Sequence, residues 1–296
     1  MKQEAVLWKA KGKYFRFKEW DTFYFQEGRG ENLLIIHGYP YNSYEWKPIT
    51  DELSKSYRIT VLDLLGMGFS DKPTNYNYTF PNQCNIIDAL LKELQINETH
   101  IFCHDLGVSI VQELIARDSQ NNNSFKILSS AFMNGGLFVD VYKPRLIQRL
   151  LSQTPKPIGK LFTKLLSKKA IEKSVSEVFG EKTKPSQGFL DIQWDILNFK
   201  DGLNVTHLLG KMVFDKKFFQ ERWITSLQET KIPLCYICGP YDPNSGFHMA
   251  TRYNELIPNP IVYMLDDKIG HWPQVEDPKL VLQTYEKFRL RIKDKK

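Results

Sequence analysis

Ile101-Phe102-Cys103-His104-Asp105-Leu106-Gly107 is the stretch on which the reading of this chain turns. Its β-branched and aromatic residues, running into a polar pair, predict a buried strand that stops at a turn. Beyond the turn Val108, Val111, Leu114 and Ile115 recur at helical spacing, so the next segment is an amphipathic helix. A carboxylate between the two is pushed out of the backbone at a sharp strand-to-helix turn, near the positive end of the helix dipole. Asp105 therefore reads as a nucleophile.

The alternation repeats on both sides. Apolar strands are predicted at 33–36, ending in His37-Gly38-Tyr39-Pro40, and at 58–62, leading into Asp63 and Gly66-Met67-Gly68. Others fall at 125–132, ending in Asn134-Gly135-Gly136, at 233–238, ending in Gly239-Pro240-Tyr241-Asp242-Pro243, and at 261–265, ahead of Gly270-His271-Trp272-Pro273. A hairpin at 14–25 precedes them. Helices are predicted at 46–53, 81–94 and 278–292. Strands alternating with helices give an α/β fold, a mostly parallel sheet with helices on both faces. Ligands bind such sheets beyond the C-terminal strand ends.

Between Leu137 and Gln228 the pattern changes. No clear buried strand appears; helical segments at 145–151, 158–166, 189–198 and 216–227 are separated by Pro155, Pro157, Gly180, Pro185 and Gly202. Residues 1–136 and 229–296 are thus expected to form the core and 137–228 a helical cap. The insert holds 16 Lys/Arg against 9 Asp/Glu, although the chain as a whole has a net charge of +6. A solvated helical surface explains this better than contact with a membrane surface, and nothing points to a nucleic acid partner.

The composition narrows the class. With 296 residues and 42% hydrophobic content the chain buries a large core. No apolar run approaches the ~20 residues that span a bilayer, and the charged stretch from Met1 to Lys13 does not read as a signal peptide. Four cysteines make no disulfide framework, and a cytoplasmic location is expected. Cys235 and Cys238 are three apart on a strand, so they face opposite ways, and no second pair completes a zinc site. The Gly66/Gly68 pair lacks the third glycine of a dinucleotide fingerprint and reads as a rigid turn. Neither a metal nor an organic cofactor is expected.

Three strand ends supply, in chain order, Asp105, Asp242 and His271, the order of nucleophile, acid and histidine in the α/β-hydrolase fold. Taken with His37-Gly38-Tyr39-Pro40, Gly66 to Pro73, His104 to Gly107 and Gly270 to Pro273, the chain resembles the epoxide hydrolase and haloalkane dehalogenase branch. It is more closely similar to the mesoderm-specific transcript family of hydrolase-like proteins, over nearly its whole length. The resemblance implies that Asp105 attacks an electrophilic carbon and becomes an ester. His271 then activates water, with Asp242 orienting it, and the backbone N–H groups of Tyr39 and Leu106 stabilise the oxyanion.

Chemistry narrows this further. A carboxylate attacking an ester carbonyl gives a reactive anhydride, whereas attack at a saturated carbon gives an ordinary ester. The expected activity is epoxide hydrolase-like, on small apolar substrates with water as co-substrate. Dehalogenases of the branch usually carry a tryptophan after the nucleophile and an asparagine after His-Gly. Here those positions are Leu106 and Tyr39, so halide displacement is the alternative. A third reading is a catalytically weak binding or membrane-associated protein on the same scaffold. Epoxide hydrolases usually protonate the opening oxygen with two cap tyrosines. Tyr142 is the only tyrosine between 137 and 228, and His207 is a substitute. Asn134 stands where some relatives carry the acid, which strengthens Asp242. His37 and His104 are expected to brace loops near the site.

Overall fold

The computed structural model describes residues 1–145 and 167–294, together with Arg149 and Thr163. The helices that the spacing predicts over 145–151 and 158–166 lie largely outside these residues.

The chain begins with α1 (Gln3–Ala10), which buries only Ala5 and Trp8, too little apolar periodicity to be read from sequence. The hairpin of β1 (Lys13–Phe17) and β2 (Trp20–Glu27) follows, then β3 (Glu31–Ile36), α2 (Lys47–Leu53), β4 (Tyr57–Leu62), α3 (Phe80–Glu93) and β5 (Glu98–His104). Next come α4 (Leu106–Asp118) and β6 (Lys126–Met133). Four described helices then intervene: α5 (Lys168–Ser176), α6 (Gln187–Leu197), α7 (Leu203–Asp215) and α8 (Gln220–Glu229). The alternation resumes with β7 (Leu234–Cys238), α9 (Phe247–Leu256), β8 (Val262–Met264), α10 (Pro273–Glu276) and α11 (Pro278–Lys293).

The eight strands form one sheet in the order β1-β2-β4-β3-β5-β6-β7-β8. Pairing is antiparallel through β1, β2 and β4 and parallel from there to β8. Side chains alternate across a strand, and the central strands use both faces. Leu34, Ile36, Ile101 and Cys103 enter one apolar layer with α3 and α4. Leu33, Ile35 and Phe102 enter the opposite layer with α2 and α11. This is why these strands read as unbroken apolar runs. β8 is shorter than the predicted 261–265 and only half-buried, as befits a sheet edge.

The segment between β6 and β7 contains, among the described residues, no strand. Its last helix is nonetheless tied to the sheet layers. Trp223 of α8 is buried with its ring 5.0 Å from that of Phe80 on α3, and its indole N–H donates to Glu113 Oε2 on α4 at 2.8 Å. No described helix is long and apolar enough to cross a membrane.

Candidate active site

β5 delivers Asp105 to the C-terminal edge of the sheet, and α4 starts one residue later. The reversal forces Asp105 to φ 49°, ψ −111°, a conformation that costs a non-glycine residue of order 1–3 kcal/mol and persists only where the surroundings over-determine it. Two glycines provide the room. A Cβ on Gly107 would lie 2.7 Å from the carbonyl oxygen of Ile36, and one on Gly38 would lie 2.5 Å from Cβ of Asp105. The loop after β3 therefore passes directly against the carboxylate, and Tyr39 N–H donates to Asp105 Oδ1 at 2.8 Å. Leu106 opens α4, so its N–H belongs to the first-turn donors that have no intrahelical acceptor.

The loops after β7 and β8 supply the other two groups. His271 Nδ1 lies 2.8 Å from Asp242 Oδ2, and His271 Nε2 lies 3.5 Å from Asp105 Oδ2. Asp242 is buried and held from several sides. Its Oδ2 accepts from Asn134 Nδ2 at 3.0 Å and from Ser245 Oγ at 2.7 Å, and its Oδ1 accepts from Asn244 N–H at 2.8 Å. Asn134, at the end of β6, thus supports the acid by donating to it, and its own Oδ1 accepts from Gly239 N–H at 2.7 Å. The structure therefore brings together Asp105, Asp242, His271 and the Tyr39 amide, which the sequence scatters over more than 200 residues.

Burial works against charge on all three groups, yet pairing prevails. For Asp105, burial is outweighed by His271, His104 and Lys216, and its carboxyl is held well below the ordinary range. Asp242 is lowered in the same way, mainly by His271. For His271, burial is outweighed by Asp242 and Asp105, and the imidazole is raised well above its usual value. The site at rest is a carboxylate–imidazolium–carboxylate line.

With this geometry in place, comparison with known proteins is decisive at the level of family. Residues 31–278 match the family described as alpha/beta hydrolase fold. The chain belongs to the α/β-hydrolases. It is similar to the mesoderm-specific transcript homolog protein of Homo sapiens, 34% identical over 95% of this chain and 86% of that protein. In shape it is similar to epoxide hydrolase CorEH, with a TM-score of 0.79 and 15% identity over 95% of this chain and 99% of that one. It is likewise similar to haloalkane dehalogenase DbeA-M1 loop variant from Bradyrhizobium elkanii, with a TM-score of 0.76 and 18% identity over 96% and 99% of the two chains. At these identities the two structures share its fold.

Around its three central groups this α/β-hydrolase has further supports, the expected His37 and His104 and, announced by no motif, Glu45 and Lys216. Glu45, buried in the short turn before α2, accepts from Gly38 N–H at 3.3 Å and lies 2.8 Å from His104 Nδ1. His104 Nε2 donates to the carbonyl of His271 at 2.7 Å, so His104 braces the histidine's backbone. His37 is similar: its Nδ1 lies 2.7 Å from the carbonyl of Gly38, and its Nε2 accepts from Leu64 N–H at 3.0 Å. Lys216, just after α7, is 3% exposed and donates to the carbonyl of Gly136 at 3.3 Å. Burial brings its ammonium group down to about 8, against the pull of Asp105.

A cavity opens beside His271, lined among others by Tyr39, Tyr41, Arg145, Val175, Thr206 and Trp272. Neither Tyr142 nor His207 is among the described residues on its wall. The ring of Tyr142 lies 4.9 Å from Lys216 Nζ, and His207 is half-buried on α7. Cys235 and Cys238 are buried on β7 and face opposite apolar layers.

Proposed function

We propose that this α/β-hydrolase opens epoxides on small, largely apolar molecules through a covalent ester on Asp105. The observation that carries the reading is the two-sided grip on one carboxylate, with Oδ1 on the Tyr39 N–H and Oδ2 facing His271 Nε2 at 3.5 Å. Oδ2 is the attacking atom: it forms a bond to an epoxide carbon as the carbon–oxygen bond of the ring breaks. Oδ1 becomes the ester carbonyl, and the Tyr39 N–H that it already accepts is a donor of the kind that stabilises an oxyanion.

Esterification removes one of the two carboxylates that keep His271 protonated. The imidazolium then gives up its proton to solvent, and the neutral imidazole takes a proton from a water as that water attacks the Asp105 carbonyl carbon. Asp242 steadies the imidazolium that forms and is itself held by Asn134, Ser245 and Asn244. The insert over 137–228 serves as a cap, a reading supported by Arg145, Val175 and Thr206 lining the same cavity as His271. Leu106 and Tyr39, in place of halide-binding side chains, favour an epoxide over a haloalkane.

Covalent trapping tests this. The His271→Gln variant, exposed to a panel of epoxides and haloalkanes, is expected to accumulate a mass increment equal to one substrate, which peptide mass spectrometry places on Asp105. An adduct on another residue, or none across the panel, contradicts the reading.

A further inference from the structure

Ring opening leaves an oxygen that must gain a proton. An alkoxide is about as basic as hydroxide, whose parent acid, bulk water, has a pKa of about 15.7. Some acidic group must therefore reach the cavity; His271 also lines it, but its two ring nitrogens face Asp242 and Asp105, which leaves the hydroxyls. The side-chain hydroxyls on its described wall belong to Tyr39, Tyr41, Ser174 and Thr206. Tyr39 spends its hydrogen on the carbonyl of Thr206 at 2.9 Å, and Thr206 spends its own on the carbonyl of Leu203 at 2.8 Å. Ser174 accepts from Arg145 and is an aliphatic alcohol, a far weaker acid than a phenol.

Tyr41 differs from the other three. It is 9% exposed, it lines the cavity, and its hydroxyl donates to none of the described residues. Its place is fixed from two directions. It lies two residues beyond Tyr39, on the loop whose amide grips Asp105. Its ring also meets that of Trp272, the neighbour of His271, edge-on at 4.9 Å. We infer that Tyr41 is the proton donor to the epoxide oxygen, an assignment that rests on the epoxide reading and makes the loop after β3 supply both the grip on the nucleophile and the acid.

The step balances. As Asp105 Oδ2 bonds to carbon and the ring carbon–oxygen bond breaks, the Tyr41 hydroxyl proton passes to the freed oxygen and leaves a tyrosinate. The proton that His271 gives up after esterification returns through solvent to Tyr41. Water then hydrolyses the ester, one of its hydrogens going to the departing alkoxide and the other restoring the His271 imidazolium, and the sum is epoxide plus water giving a diol. Burial keeps the hydroxyl well above its ordinary value, so the proton is in place at neutral pH, while the nearby Arg145 charge favours the transient tyrosinate.

The test uses the His271→Gln protein, in which adduct formation on Asp105 is isolated from hydrolysis. Adduct accumulation is timed by intact mass with styrene oxide and with phenethyl bromide, whose leaving group needs no proton. Adding Tyr41→Phe is expected to slow the epoxide reaction by roughly 100-fold or more and to leave the bromide reaction unchanged. Adding Tyr142→Phe instead is expected to slow neither. Should the bromide be inert in every variant, the pH profile decides: the residual epoxide rate of the Tyr41→Phe protein climbs as pH falls, because hydronium replaces the lost donor. Equal slowing of both substrates, no slowing, a pH profile parallel to that of the parent, or an effect confined to Tyr142→Phe overturns the assignment while the nucleophile stands. Absence of any epoxide adduct in the parent variant overturns the assignment and the proposed function together.

Discussion

The two sides of the site, the wall carried by the sheet and the wall carried by the insert, are built in different ways. On the sheet side, each functional group sits at a strand end and is held by several hydrogen bonds. Asp242 alone accepts from Asn134, Ser245 and Asn244 besides facing His271. On the insert side the described contacts to the site run largely through backbone carbonyls: Thr206 offers one to Tyr39 and Val178 one to the His271 N–H, while Lys216 reaches the carbonyl of Gly136. The sheet wall is preorganised, as charge-stabilising chemistry requires. The insert wall shapes the space and sets its electrostatics. Substitutions on the sheet side should therefore cost both fold and chemistry, and those on the insert side should mainly change how the site responds to conditions.

The largest effect of this contrast is expected at Asn134. Its backbone lies at φ 34°, a region that asparagine tolerates better than alanine. Its side chain also satisfies both Gly239 N–H and Asp242 Oδ2. Asn134→Ala leaves a buried donor and a buried carboxylate short of a partner, and about 2–4 kcal/mol of stability should be lost. Urea unfolding measures the loss, and a midpoint equal to that of the native protein would erase the distinction between the walls.

A smaller effect is expected at Lys216. Its pKa falls from 10.5 in the unfolded chain to about 8 in the fold. Between those values the unfolded state binds more protons, so stability must rise as pH rises through that window. Lys216→Met should flatten that rise, and at pH 7 it removes one buried charge while leaving Asp105 without that neighbour and the Gly136 carbonyl without its donor. Thermal unfolding followed from pH 7 to 10.5 checks it; identical slopes in the two proteins would show that the lysine is not the titrating group.

The same contrast explains what could be read in the sequence. Asp105, Asp242 and His271 were legible because each follows a strand that announces itself by apolar content and ends at a glycine-flanked turn. In a parallel sheet such turns converge on one edge, whatever their separation along the chain. Asn134 was legible for the same reason, as a strand-end residue, though its donation to Asp242 was not. Glu45 and Tyr41 were not, because neither repeats nor spacing distinguishes a buried turn carboxylate or a cavity phenol from their neighbours. Lys216 was hidden most thoroughly. It stands beside Lys217 in a stretch rich in solvated lysines, and only packing against Gly136 and Tyr142 singles it out. Tyr142, the donor that composition suggests, stacks with that lysine, whereas Tyr41 faces the cavity.

The central claim is that Asp105, and not water, attacks the carbon. A single turnover of excess native enzyme on styrene oxide in water enriched in oxygen-18 tests it directly. Water attacks the ester carbonyl in this scheme, so the first diol released should carry only ordinary oxygen, and the label should appear in the peptide containing Asp105. Label in the diol after that first turnover, with an unlabelled Asp105 peptide, would mean that water attacks the substrate itself.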